Sequence, residues 1–481
     1  MIMHALKNMN KVPLMVCSLL LAACAPMKED TSTVKLIQQQ TIVLPKEIKL
    51  TSHQWPEATW WKHYNDPQLN ALIEQALKQS PSIAAAQARI ARAHSEVALT
   101  GSDSQLKVNA IAKIDEAHVS SNGYLGPFAE DRPRLGTTGP WYTEGIVGLG
   151  AALDLDLWGE HRDRLNAAVG LENAHVLEKK TVELEISAGV AQLYYGILTT
   201  DLVTQRLEAL KQSETFVLNS HEARTTRGLE SHANAEMAKA MLLTIRQQLT
   251  RVRQQRVAFR ESLRVLIGGG ELTVITPMPL PVAQTQLPSS LNYQLLARRP
   301  DLQAARWYIQ SSMKQTDAAK AAFYPRFDIK AFFGLDALHL DDLFDHSSQQ
   351  VSIVPGLYLP VFSGGQLEAS LDKARHQRDE LISQYNQAVL TAVKDVVTTG
   401  SALQSLQEEL ALQNEQVSSA AAGMNNANAR YQHGIISEAM AEQARRQWLS
   451  AQIKQIEIQG RLLSMDIKLN KALGGGKQGK S

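Results

Sequence analysis

The sequence predicts a mixed fold. Long coiled-coil α-helical hairpins continue a set of transmembrane β-strands, four strands to a chain, and the plan is repeated once along the length. Three observations carry this. Residues 141–276 and 361–481 contain none of the 17 prolines; proline inside a helix costs ~3 kcal/mol, so these stretches can hold very long helices. The two stretches match each other at a constant offset of 206 residues. Just before each, the hydrophobic period falls from helical to two, the period of a strand.

The first element is a targeting pattern. Lys7 and Lys11 form a basic start, Val12 to Leu21 is apolar, and Leu21-Ala22-Ala23-Cys24 follows. These are the three parts of a secretory signal, residues 1–23. The small residues before Cys24 resemble a bacterial lipobox, which implies lipid on Cys24 and cleavage before it; a plain signal peptide or a short membrane anchor is the alternative. Ala25, rather than Asp, follows the cysteine, and this implies an outer-membrane destination. Removing residues 1–23 takes the formal charge from +1 to −1. Bulk positive charge is therefore not available, and no nucleic-acid partner is expected. With 44% hydrophobic and 20% charged residues, most of the chain should fold. Cys17 and Cys24 are the only cysteines, so the rest of the chain supports neither a disulfide framework nor a cysteine zinc site.

The mature chain then reads as two similar halves. An N-terminal lipidated segment, 24–65, precedes helices at 66–105, a β-hairpin at 106–157 and a long helical hairpin at 159–270. A Pro-rich connector, 271–290, leads to helices at 291–324, a second β-hairpin at 325–361, a second long helical hairpin at 365–473 and a tail at 474–481.

The strand runs alternate apolar with polar or small residues. Leu106, Val108, Ala110, Ala112 and Ile114 form one apolar face, and Leu149, Ala151, Leu153, Leu155 and Leu157 a second. Phe327, Ile329, Ala331, Phe333 and Leu335 form a third, and Val351, Ile353, Pro355, Leu357, Leu359 and Val361 a fourth. Each run is ~10 residues, the length of a tilted membrane strand. Alternation alone also fits a soluble four-stranded sheet; the signal segment and the apolar outer face favour the membrane. No later segment approaches the ~18 continuous apolar residues of a spanning helix. The polar positions Asp154, Asp156, Asp328 and Lys330 are expected to face a barrel lumen.

In the second helical stretch Val389, Val396, Leu403, Leu410, Val417 and Met424 repeat every seven residues, with Ala388, Ala392, Ala420 and Ala427 as small seam residues. This is a coiled-coil signal. A Pro-free span from Gly365 to Tyr431 would be roughly 100 Å long at ~1.5 Å per residue. The repeat is carried by Gly159/Gly365, Val190/Val396, Ala223-Arg224/Ala429-Arg430, Gly228/Gly434, Ser231/Ser437, Ala235-Glu236/Ala441-Glu442, Leu263/Leu469 and the triple glycines 268–270 and 474–476. Each copy breaks at Arg227-Gly228 or His433-Gly434 and turns back, because glycine supplies the positive φ that ends a helix.

Four strands do not close a membrane barrel, since ~8 is the practical minimum and open edges are not tolerated in lipid. The missing strands must come from other copies. Two copies would give a barrel filled by side chains; three give twelve strands and an open lumen. A homotrimer suits a conduit.

No enzyme and no cofactor are expected. The 13 histidines include no His-x-x-x-His pair, there is no nucleophile elbow, and the triple glycines lack the Lys-Ser/Thr of a phosphate loop.

The motifs resemble those of the outer-membrane factors of tripartite efflux systems, the TolC/OprM-like family, and within it the lipidated multidrug-efflux branch. They cover nearly the whole mature chain. Trp60-Trp61 precedes Asp66-Pro67-Gln68-Leu69 and Leu72-Ile73; Leu155-Asp156-Leu157-Trp158-Gly159 joins strand to helix. Ala297-Arg298-Arg299-Pro300-Asp301-Leu302-Gln303-Ala304-Ala305 opens the second half, and Phe323-Tyr324-Pro325 leads into its first strand. The resemblance implies a trimeric twelve-stranded β-barrel continued by a periplasmic α-helical barrel. It implies as partners a periplasmic membrane-fusion adaptor, an inner-membrane drug pump and outer-membrane lipid. The expected function is a passive exit duct for small toxic compounds. An outlet of a type I protein secretion system and a non-pore coiled-coil scaffold are the alternatives. The sequence departs from the pattern at Ser104-Gln105-Leu106, where a proline is usual, and at Lys477, where the family has Trp. It departs again at Gln443, which stands where an Asp usually narrows the pore, with Glu442 beside it.

The turns Arg227, Gly228, His433 and Gly434 are the expected periplasmic tips. Glu236, Met440, Glu442 and Gln443 are the candidate constriction. The competing expectation for the two glutamates is a solvated face, paired with Lys239 or Arg446 at helical spacing.

Overall fold

A computed structural model describes residues 27–37, 56–132, 137–283 and 298–476. Cys24, the signal segment and part of the Pro-rich connector lie outside the described residues. The contacts divide the chain into two units: Met1–Lys35, Ala91–Asn173 and Trp307–Ile382 in the first, Leu36–Ile90, Ala174–Arg306 and Ser383–Ser481 in the second.

Seven helices are described: α1 (Pro67–Gln79), α2 (Pro81–Ser102), α3 (Glu160–Thr226), α4 (His232–Leu266), α5 (Pro300–Ala321), α6 (Gln366–Gln432) and α7 (Glu438–Ala472). The strands are β1 (Lys107–His118), β2 (Asp131–Arg132), β3 (Thr137–Thr138), β4 (Trp141–Leu155), β5 (Arg326–Ala337) and β6 (Gln349–Tyr358). α3 and α6 each have 67 residues, and α4 and α7 each have 35. No described helix is long and apolar enough to cross a membrane.

The first unit holds an antiparallel sheet in the order β1-β4-β5-β6. Its register places Ala110 opposite Leu149, Leu149 opposite Phe333 and Phe333 opposite Val351. The alternating apolar runs of all four strands therefore share one face, and Asn109, Gly150 and Ser352 share the other together with Phe332. β4 begins at Trp141, eight residues before the alternating run that begins at Leu149. Gly145 and Gly148 hide that part of the strand, because glycine leaves no hydrophobic mark. A Cβ on Gly148 would lie 2.6 Å from the Phe333 carbonyl and 2.8 Å from the Phe332 ring, so the close approach requires glycine there. β6 stops at Tyr358, short of Val361, and Pro360 has no N–H to extend its ladder.

Small residues let helices of this unit approach closely. Ser311 Oγ donates to the Ala167 carbonyl at 2.7 Å, and a Cβ on Gly170 would lie 3.1 Å from Ser311 Cβ. Lys314 reaches Asp163 at 3.2 Å and Arg326 reaches Glu160 at 3.0 Å. Residues 28–30 dock on α6. Arg375 donates to the Lys28 carbonyl at 2.7 Å, and Arg378 pairs with Asp30 at 2.6 Å.

The core of the second unit sits at the base of the hairpins. Trp60, Trp61, Tyr64, Leu69 and Ile73 pack against Tyr194, Tyr195, Ile197, Leu198, Leu263, Leu463 and Ile467. Asp66 starts α1 by accepting from the N–H groups of Gln68 (3.0 Å) and Leu69 (3.1 Å) with Pro67 behind it. Tyr64 donates to Asp466, and burial together with that carboxylate pushes its phenol well above the usual range.

Candidate functional site

The first candidate region is the sheet. On its polar face Asp154 stands directly opposite Asp328, and Lys330 opposite Ala152. Lys330 Nζ lies 3.3 Å from Asp328. Asp156 does not belong to this group, contrary to expectation. It lies one residue past β4, and its carboxylate accepts from the N–H of Arg162 at 2.8 Å. A carboxylate at a helix N-terminus satisfies an orphan donor and meets the positive end of the dipole. Alternation alone places Asp156 in the strand, but the start of α3 takes its carboxylate. Beside it, Trp158 Nε1 donates to the Pro325 carbonyl at 2.8 Å, and its ring stacks on Tyr324 at 5.0 Å. The aromatic motif of one half is thus joined to the Phe-Tyr-Pro motif of the other.

The second region is the pair of helical turns. Gly228 and Gly434 both have φ +70°. Gly228 N donates to Thr225 O at 2.9 Å and Leu229 N to Arg224 O at 2.9 Å; Gly434 N donates to Tyr431 O at 2.8 Å and Ile435 N to Arg430 O at 2.9 Å. Both turns are the same glycine-ended cap, with the two donors closing on the last carbonyls. The side chains around them differ. At the first, Glu230 accepts from His221 Nδ1 (3.0 Å) and from Asn234 and pairs with Arg224 (3.4 Å), and these contacts, His221 foremost, hold its carboxyl below the usual range. The counterpart in the second half is Ile436.

The candidate constriction residues are placed apart. Glu236 is exposed, with Lys239 Nζ at 4.0 Å. Glu442 is turned between helices: it accepts from Ser213 of α3 and pairs with Arg445 at 3.2 Å. Arg446, offered above as a partner for the glutamates, instead donates to Glu214 of α3. Met440 and Gln443 are exposed. Gln413 Nε2 donates to the Ala451 carbonyl at 2.9 Å within the second hairpin. The Glu214–Arg446 and Ser213–Glu442 pairs escape sequence reading because their partners are 232 and 229 residues apart. Among the described residues no cluster of acidic, histidine or cysteine side chains could hold a metal.

The family model described as "Outer membrane efflux protein" matches residues 72–269 and again 291–475. The chain belongs to the outer membrane efflux protein family. It is 43% identical over 472 residues, 97% of each chain, to the multidrug resistance outer membrane protein MdtP of Shigella flexneri. It is 36% identical to the putative multidrug resistance outer membrane protein MdtQ of the same organism, over 95% of this chain and 96% of that one. Among solved structures it resembles the outer membrane protein VceC of Vibrio cholerae, with TM-score 0.74 and 29% identity over 88% of this chain and 100% of VceC. The family accounts for the helix-rich fold with its few strands and for the outer-membrane location.

Proposed function

We propose that three copies of this chain form the outer-membrane duct of a tripartite multidrug efflux pump. The observation that carries the reading is the four-stranded sheet: one face is apolar, and its edges are β1 and β6. Unpaired edges are not tolerated in lipid. Pairing β6 of one copy with β1 of the next, as β4 pairs with β5 inside the chain, gives twelve strands and an open lumen with Asp154, Asp328 and Lys330 facing it. The double match of one family model and the equal helix lengths support an internal duplication. The hairpins continue the barrel as an α-helical tunnel in the periplasm, and their turns at Gly228 and Gly434 form the tip that meets the adaptor. Met440 and Gln443 narrow the duct there. Cys24 carries the lipid. The relatives' multidrug names support small toxic compounds as the cargo, and the inner-membrane pump drives transport while this protein stays passive.

The test combines native mass in mild detergent with planar-bilayer conductance. A trimer that conducts is expected. A monomer, or a trimer without conductance, sinks the reading, and the second result points to the scaffold alternative. Loss of drug resistance on deletion, with protein secretion intact, separates efflux from the secretion outlet.

A further inference from the structure

Phe332 breaks the pattern of the face it lies on. It shares a row with Asn109, Gly150 and Ser352, where every neighbour is polar or small. Side chains on one face of a strand start about 6.6 Å apart. Yet the tip of the Phe332 ring lies 2.8 Å from where a Cβ would stand on Gly334, two residues on, and 2.8 Å from the same point on Gly148, directly opposite Gly334. The ring therefore leans along β5 and lies over the two glycines instead of standing away from the sheet. Ile111 Cδ1 lies 3.0 Å from where a Cβ would stand on Gly150, the residue opposite Phe332. Two apolar side chains thus border a floor of Gly148, Gly150 and Gly334, and both are only half-buried.

The charges around this platform have one sign in surplus. On the four strands the same face carries five carboxylates, Asp328 and Asp336 of β5 among them, against Lys107, Lys113 and Lys330. Each lysine is engaged by a carboxylate: Lys107 by Asp103 at 3.1 Å, Lys113 by Asp115, and Lys330 by Asp328 at 3.3 Å. A wall with surplus negative charge concentrates cations beside it. An aromatic face attracts both a second ring and a cation.

We propose that Phe332 is a cargo-binding residue of the duct, and that its class of cargo is the lipophilic cation with a flat aromatic body. This rests on the duct reading, which puts the face in the lumen, and adds to it a binding position and a chemistry. The flat ring of the cargo stacks on Phe332 from the lumen side. The glycine floor leaves its edge room to settle on the sheet, and the surplus carboxylates balance its charge. The competing role is structural: an aromatic ring also serves to cover bare glycine backbone in a sheet. The two roles differ in what happens to a passing aromatic cation.

Single-channel recordings of the purified trimer in planar bilayers test this with three probes. Ethidium is the aromatic cation, tetraethylammonium a cation without a ring, and fluorescein an aromatic anion. Ethidium should interrupt the wild-type current for resolved dwell times. Phe332→Leu, apolar and of similar bulk, should shorten them roughly fivefold, the scale of one aromatic pair. Phe332→Trp should keep or lengthen them. Tetraethylammonium should pass wild type and Phe332→Leu alike, fluorescein should give no resolved interruption, and small-ion conductance should be equal in the two proteins. Equal ethidium dwell times in a Phe332→Leu trimer that conducts normally leave the ring as a cover for glycine; they overturn the proposal and leave the duct reading standing. Fluorescein interruptions as long as those of ethidium do the same. If Phe332→Leu does not assemble, Ile111→Ala decides: shortened ethidium dwell times support the platform, and unchanged ones overturn it. A wild type that is monomeric or does not conduct overturns the duct reading, and the proposal with it.

Discussion

Arg446 of α7 donates to Glu214 of α3, whose side chain keeps 1% of its surface exposed. The pair ties the two helical hairpins of one chain together close to their turns. Removing one partner leaves a buried charge without a counter-ion, which costs about 3 kcal/mol or more. Arg446→Ala should therefore lower the unfolding midpoint by several degrees. Arg446→Met with Glu214→Leu should recover most of the loss, because replacing both charges with well-packed apolar groups is near neutral. Thermal melts of the four proteins read the result, and an unchanged midpoint in Arg446→Ala would deny the pair its structural role.

Asp30 is held by Arg378 on α6, whose hydrogen bond lowers the carboxyl to about 2; the N–H of Ser32 adds a second. A carboxyl with a depressed folded-state pKa contributes stability above its unfolded value, and the contribution is lost as pH falls through the folded value. Docking of residues 27–37 should thus be constant from neutral pH to about 4 and should weaken toward pH 2. At neutral pH Asp30→Asn should speed tryptic cleavage after Lys28 and Lys35 several-fold, with the remainder of the chain as resistant as before. Equal cleavage of variant and wild type would count against this docking.

Phe333 lies on the apolar face between Leu149 and Val351, and Lys330 lies on the opposite face. A cation at the lipid midplane of a barrel costs ~2–4 kcal/mol. Phe333→Arg should sharply reduce folded protein in the outer membrane. Lys330→Ala should leave its amount unchanged and alter ion selectivity. Equal yields of the two variants would place lipid on neither face.

The strands were readable wherever an apolar residue marks every second position, as from Phe327 to Leu335. They were unreadable where glycine marks nothing, as at Gly145 and Gly148 of β4. The hairpin turns were readable because only glycine suits φ +70°. Asp156 was misread because alternation continues through it while the helix start captures its carboxylate. The partners of Glu442 were out of reach for a different reason. Periodicity fixes which face of a helix is buried, but the register between two hairpins is set by packing, and packing joined Ser213 to Glu442 and Glu214 to Arg446.

On the duct reading, that register also decides which residue near the turns can tune ions. Glu442 is engaged by Ser213 and Arg445, so its charge is already compensated and turned into the seam between helices. Gln443, next to it, is exposed. A carboxylate that faces a duct concentrates cations in it, the more so where low-dielectric walls focus the field. Gln443→Asp should therefore raise cation over anion selectivity of single channels severalfold. Met440→Ala should raise conductance by removing bulk at the same level. Glu442→Ala should change selectivity little, as should Glu208→Ala, placed well before the turn and paired with Lys211 and Arg253. Reversal potentials in a salt gradient and unit conductance read all four. A larger selectivity change in Glu442→Ala than in Gln443→Asp would mean that Glu442 leaves the seam and lines the duct. No change in any variant beyond that of Glu208→Ala would move the constriction away from these turns.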